Sequence, residues 1–203
     1  MPTRAELRNA LRQRLEDVTA APLWDDPALN EALAAAIRGY GARFPRQATA
    51  TLTVAAGATR VTVPAEIDPA TIARVIDSTG AALPRLSSDT SPPFGHERQA
   101  WRWWNGDLIL GRAAIGGTWQ IEYLAPRIVP SDDVTAVDLL PGDEEIVLAL
   151  ASATALRRRQ GEDAKRGLRP DSIAALVAAI EATAERLMSQ RRHRARGGWL
   201  ARE

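Results

Sequence analysis

Cysteine is absent from this 203-residue chain, lysine occurs once (Lys165) among 26 basic residues, and histidine occurs twice, at His96 and His193. Without cysteine there is no disulfide, no thiolate nucleophile and no cysteine-ligated metal. The two histidines lie in no ligand spacing. His96-Glu97 is not followed by the second histidine that a zinc-protease helix requires, so His96 reads as an exposed loop residue and no metal or other cofactor is expected. No apolar run approaches the length of a membrane span, and the opening Met1-Pro2-Thr3-Arg4-Ala5-Glu6 has no leader-like apolar core. The expectation is a soluble chain, made in a cytoplasm, with no membrane partner. Near-exclusive use of arginine over lysine fits a GC-rich genome rather than a function.

What is present is an interruption. Helical sequence breaks near Pro45, β-type sequence follows for much of the middle of the chain, and helical sequence returns near Pro141 before an arginine-rich end. The length suits one domain, or one domain with an insertion, large enough to bury a substantial core. A formal net charge of +1 hides a basic C-terminal segment set against a balanced or acidic remainder.

Thr3 and Glu6 form a T-x-x-E capping box, after which Leu7, Leu11, Leu15 and Val18 recur on one helical stripe. Trp24-Asp25-Asp26-Pro27 is a second helix start. Either aspartate can cap it, Pro27 suits its first turn, and Trp24 can staple against Leu29. Leu29, Leu33, Ile37 and Tyr40 carry that face to Phe44-Pro45.

From Thr49 the period becomes two. Leu52, Val54, Val61 and Val63 predict a hairpin around Ala56-Gly57, and residues 72–76 predict a further strand. Residues 100–104 and 107–110 flank Asn105-Gly106, the pair that suits a type I′ turn. Gly116-Gly117 then leads into a strand over 118–124. After Pro141-Gly142-Asp143, Ile146, Leu150 and Ala153 share a helical face, with 157–159 and Gly161 marking its end. Asp171 caps a last helix whose stripe is Ile173, Leu176, Val177, Ile180, Ala184 and Leu187. The expected fold is α+β: a four-helix bundle, a small antiparallel sheet inserted between the second and third helices, and an extended C-terminal arm. Its segments are 1–47, 48–127, 128–188 and 189–203.

Catalytic chemistry is hard to find. Asp132-Asp133 and Asp143-Glu144-Glu145 precede a helix, which favours capping and dipole compensation over acid–base work. Gly111 to Thr118 has phosphate-loop spacing, but Gly117 replaces the lysine and β-type sequence follows, so it reads as a strand connection. Trp101, Trp103, Trp104 and Trp119 can stack on sugars or bases, or pack within the sheet; period two puts Trp101 and Trp103 on one face and Trp104 on the other. The basic run from Arg191 to Arg196 has three readings: a solvated tail, a phosphate-neutralising tail, or a docking arm. In the last, Arg191, Arg192, Arg194 and Arg196 pair with an acidic partner and Trp199 with Leu200 fills a pocket, hinged by Gly197-Gly198. Pro92, Pro93, Phe94 and His96, in the expected loop 87–98, are candidates for a contact with a neighbouring subunit or a tail.

The hairpin carrying Leu23-Trp24-Asp25-Asp26-Pro27-Ala28-Leu29-Asn30-Glu31-Ala32 resembles the opening of the head–tail adaptor proteins of tailed bacteriophages. The stretch Trp103-Trp104-Asn105-Gly106-Asp107-Leu108-Ile109-Leu110, with residues 119–126, is similar to the β insertion of podovirus-type members; a prophage or gene-transfer-agent homologue shares the pattern. The resemblance implies a structural virion protein rather than an enzyme. It would form a ring, generally twelvefold, under the portal protein in the neck between head and tail. That ring would extend the channel for genomic DNA, without sequence-specific binding, and offer a platform to a tail or nozzle protein. The arm over 189–203 would clamp the portal. Two other classes compete: a carbohydrate- or receptor-binding module using the tryptophans, and a DNA-binding helical protein using the basic segment.

Overall fold

The computed structural model describes residues 1–86, 100–167 and 171–200, with the side chains of 171, 172 and 192–200 outside the description. The elements run α1 (Arg4–Arg14), α2 (Asp26–Arg43), β1 (Arg46–Val54), β2 (Arg60–Thr62), β3 (Ile72–Ile76), β4 (Ala82–Leu83) and β5 (Trp101–Trp104). They continue with β6 (Asp107–Leu110), β7 (Gly117–Ala125), α3 (Glu144–Lys165) and α4 (Asp171–Leu200). The class is α+β, with four α-helices and two antiparallel sheets among the described residues. The chain divides into a helical unit, Met1–Phe44 with Pro126–Glu203, and a β unit, Pro45–Ala125.

The helical unit starts as its caps dictate. The Thr3 Oγ1 accepts from the Glu6 amide at 3.2 Å, and the Glu6 carboxylate accepts from the Thr3 amide at 2.8 Å. Of the two aspartates, Asp25 caps α2, accepting from the Ala28 amide at 2.8 Å. Leu7, Leu11, Leu29, Leu33, Ile37 and Tyr40 are buried with Val137, Leu139, Ile146 and Val147 in one core. Val18 departs from the expected stripe and is 70% exposed. The reason is local: α1 stops at Arg14, Glu16 takes φ 54°, and buried Asp17 accepts from the amides of Leu23 at 2.5 Å and Trp24 at 3.2 Å.

Two helix ends also differ from expectation. Gly161 does not end α3, because the Arg158–Glu162 and Arg159–Asp163 pairs, four residues apart, carry the helix to Lys165. Gly167, at φ 76°, sits at the actual end. Nor does the last helix give way to an extended arm at Ser189, since the backbone of α4 stays helical to Leu200, through the expected Gly197-Gly198 hinge. On its packed face, Val177, Ala184 and Met188 are buried and Leu176 is exposed.

In the β unit, one sheet has the order β1-β7-β3-β4 and the other β2-β6-β5. The expected single sheet and β1–β2 hairpin are therefore replaced by strands in different sheets. Leu52, Val54, Val61 and Val63 still share one core with Trp101, Leu108, Trp119 and Ile121. The turn between the two strands is tied to residues 110–114 instead of closing a hairpin: Gly57 donates to the Ala114 carbonyl at 2.9 Å, and Ala114 donates to the Ala58 carbonyl at 2.7 Å. The β5–β6 hairpin forms as Asn105-Gly106 requires, with φ 48° and 88° and with Trp104 opposite Asp107. The phosphate-loop look-alike is the connection from β6 into β7.

Candidate functional site

The structure gathers its least expected polar chemistry where α3 begins. Asp143 occupies the N-cap position of α3 yet makes no side-chain capping bond. Its buried carboxylate accepts instead from the Tyr40 hydroxyl at 2.6 Å and lies 3.3 Å from the Arg191 guanidinium. One carboxylate thus joins α2, α3 and α4. Tyr40 is fully buried, and that burial, reinforced by the bond to Asp143, pushes its phenol from the usual value of 10 up to about 12. On its other side stands Arg127, with a side chain only 3% exposed and its guanidinium 5.2 Å from the Tyr40 ring centre. Arg127 donates from Nε to the Phe44 carbonyl at 2.6 Å and from Nη1 to the Asp138 carbonyl at 2.8 Å and carboxylate at 3.0 Å. Gly41 eases this approach, because a Cβ there would lie a tight 3.2 Å from the Arg127 Cβ.

The remaining acids act structurally. Asp132 accepts from the amides of Val134 at 2.9 Å and Thr135 at 2.6 Å, closing a turn. Asp133 receives Arg8 at 2.9 Å and Arg4 at 2.8 Å, and these bonds, that from Arg8 foremost, hold its carboxyl down to about 2. Glu145 pairs with Arg14. The segment from Pro126 to Asp143 is thereby strapped to α1 by Asp133 and to α2 by Arg127.

Arg191 is the one predicted docking residue whose side chain is described, and it is engaged by its own chain at Asp143. Arg192, Arg194, Arg196, Trp199 and Leu200 lie on the backbone of α4, their side chains outside the described residues. Pro92, Pro93, Phe94 and His96 lie outside the described residues altogether. Among the tryptophans, Trp101 and Trp119 are buried and donate their indole N–H groups to the Leu83 and Ile115 carbonyls at 3.1 and 3.2 Å. Trp103 packs against the same core, while Trp104 is 62% exposed. A multi-tryptophan stacking platform is therefore not what these four residues build.

Two further surfaces bear on association. On α4, Ala174, Ala175, Leu176, Ala178, Ala179 and Ala182 are all exposed, an uncharged face on a solvent-facing helix. Between α2 and α3 runs a groove of about 410 Å³, lined by Trp24, Ala28, Ala32, Ala35 and Ala155 together with Thr154, Arg38 and the Glu31–Arg158 pair. No group of three or more His, Cys, Asp or Glu residues placed to hold a metal occurs among the described residues, and none of their helices is long and apolar enough to cross a membrane.

Sequence reasoning anticipated Asp143 at a helix start but not its partners. Tyr40 and Arg127 were missed as members of a site because Arg127 meets Phe44, 83 residues away, and Tyr40 meets Asp143, 103 residues away. The one available signal was a tyrosine at the end of an otherwise aliphatic stripe, since a buried phenol needs a hydrogen-bond partner. No protein-family model matches the chain, and no curated protein matches it either.

Proposed function

We propose that this chain is a structural assembly subunit, a head–tail adaptor of a tailed phage or a related particle, and not an enzyme. In this reading, the four helices form a bundle with the β unit inserted between α2 and α3. Copies of the chain build a ring, of the twelvefold kind the resemblance implies, under the portal protein. The ring extends the DNA channel and receives a tail or nozzle protein.

The observation that carries the proposal is the course of α4. Its foot is tied to the helical unit at Arg191 by Asp143, and the backbone then continues as helix through the basic segment to Leu200. At 1.5 Å per residue the nine residues after Arg191 reach about 13 Å further. A docking element of this kind is a helical segment whose sequence carries arginines, Trp199 and Leu200. The uncharged face of α4 and the alanine-lined groove on α2 and α3 suit close helix packing between subunits. Burial of Trp101 and Trp119 weighs against the carbohydrate-binding alternative. The engagement of Arg191 by Asp143 removes one cation from the DNA-binding alternative.

Electron microscopy of particles carrying the chain tests the proposal. The expected result is density for it in a ring between portal and tail. Density anywhere else on the particle refutes the adaptor reading.

A further inference from the structure

The two sheets end in four edge strands, β1, β4, β2 and β5, of which β1 is the longest; β5 is four residues long, and on its outer side Trp101 exchanges backbone hydrogen bonds with Pro84 and Leu86. β4 is two residues long and is followed by Pro84; β2 is three residues long and is followed closely by Pro64. β1 is nine residues long, ends the order β1-β7-β3-β4, and pairs with β7 in unbroken register from Arg46↔Ala125 to Val54↔Gly117. It contains no proline, no lysine and no bulge, and among the described residues no strand pairs with its outer edge. Proteins ordinarily blunt such an edge with charge, proline or irregularity, because its free N–H and C=O groups are a template for another strand.

The sequence of β1 says which strand fits. Read antiparallel to itself about Ala50, Arg46-Gln-Ala-Thr-Ala-Thr-Leu-Thr-Val54 is self-complementary. Thr49 falls opposite Thr51 of the second copy and Gln47 opposite Thr53, all on the outward face, where the threonines are exposed. Cross-strand threonine pairs are among the favourable ones. On the inward face Ala48 meets Leu52 and Ala50 meets itself, so small residues face one another or a larger one without crowding. The single charge, Arg46, falls opposite Val54, and no like charges meet. A partner strand rich in one charge, or bulky on the outward side, would not share this pattern.

We infer that β1 is a self-association edge: two copies of this chain pair antiparallel through β1 about a two-fold axis at Ala50, joining two four-stranded sheets into one of eight strands. A single strand pair buries little area, so the association is weak and concentration-dependent. It belongs to the chain by itself and does not depend on the adaptor reading or on a portal.

The test uses the full chain. Sedimentation over a concentration series extending to the millimolar range should show a reversible monomer–dimer equilibrium. Thr49→Lys with Thr51→Lys in one chain opposes like charges across the axis and should leave only monomer, with an unchanged circular dichroism spectrum because both positions are exposed. Thr49→Lys protein mixed with Thr51→Glu protein should form a heterodimer more readily than either does alone, since only this register sets 49 against 51. The chain lacks cysteine, so Ala50→Cys should cross-link to a dimer on oxidation, while Ala82→Cys on β4 should not. A wild-type chain that stays monomeric throughout overturns the inference. So does a dimer that survives the paired lysines, or equal cross-linking from Ala50→Cys and Ala82→Cys.

Discussion

Tyr40 offers the sharpest quantitative test of how the helical unit is held. Its hydroxyl donates to Asp143 at 2.6 Å, and as a phenolate it would instead set a second anion against that carboxylate. Burial and this bond raise its pKa from 10 to about 12, and the folded state therefore favours the neutral phenol. A group whose pKa rises on folding contributes stability that is complete below its unfolded pKa and is lost as pH climbs through the folded one. The window is pH 10 to 12. Two pKa units correspond to about 2–3 kcal/mol. Few other groups blur this range, because the chain has two tyrosines and one lysine, and arginine keeps its charge. Urea titrations followed by the helical circular dichroism signal, repeated across this range, should show the wild type losing that stability. Tyr40→Phe should start about 1–2 kcal/mol less stable at neutral pH, having removed a hydrogen bond to a buried carboxylate, and then stay nearly flat through the same window. Phenolate absorbance should show a step near pH 12 that Tyr40→Phe abolishes. If Tyr40→Phe loses as much stability between pH 10 and 12 as the wild type, the account of this site is wrong.

Asp133, held down to about 2 by Arg8 and Arg4, gives stability that is present above pH 3.8 and lost as pH falls towards 2, so acid titration of Asp133→Asn should lack that part of the decline. Gly161 lies exposed inside α3 with open space where a Cβ would stand, and Gly161→Ala should stabilise the helical unit by about 0.5–1 kcal/mol in thermal or urea unfolding, a loss of stability counting against the helix assignment there. Removing residues 197–203 should leave the core intact and weaken co-sedimentation with portal rings by the roughly 2–4 kcal/mol expected of a buried tryptophan anchor, whereas unchanged binding would show that Trp199 and Leu200 do not dock.

The parts of the fold legible in the sequence were those governed by neighbours a few residues apart. The Thr3–Glu6 box, the Asp25 cap and the Asn105-Gly106 turn each complete their hydrogen bonds or dihedrals locally, and each formed. The aliphatic stripe of α2 also went inside as its period required. What was not legible depended on partners distant in sequence. Alternation in β1 and β2 told which side chains point to the core but not that β1 would choose β7 and β2 would choose β6. Gly161 looked like a stop because the glycine signal is local, while the pairs that carry α3 through it lie on either side. Asp143 looked like a cap because nothing nearby announces a buried tyrosine hydroxyl from α2 or a guanidinium from α4. At the C-terminal segment, a run of arginines followed by Gly197-Gly198 reads as an extended docking arm, yet arginine is a good helix former and the backbone of α4 continues to Leu200.

The ladder between β1 and β7 bears on the order in which the chain folds. Its terminal pair joins Arg46 to Ala125, so the two ends of the β unit stand side by side, about 5 Å apart at Cα. The two halves of the helical unit are separated in sequence by the 81 residues from Pro45 to Ala125. Were that stretch a flexible loop, closing it would cost roughly 4 kcal/mol in chain entropy before α2 could meet α3. Once β1 and β7 have zipped, the same stretch behaves as a connection of a few residues, and the helices are delivered to one another as near neighbours. An otherwise long-range helical core thus becomes a local one, conditional on the β unit folding first.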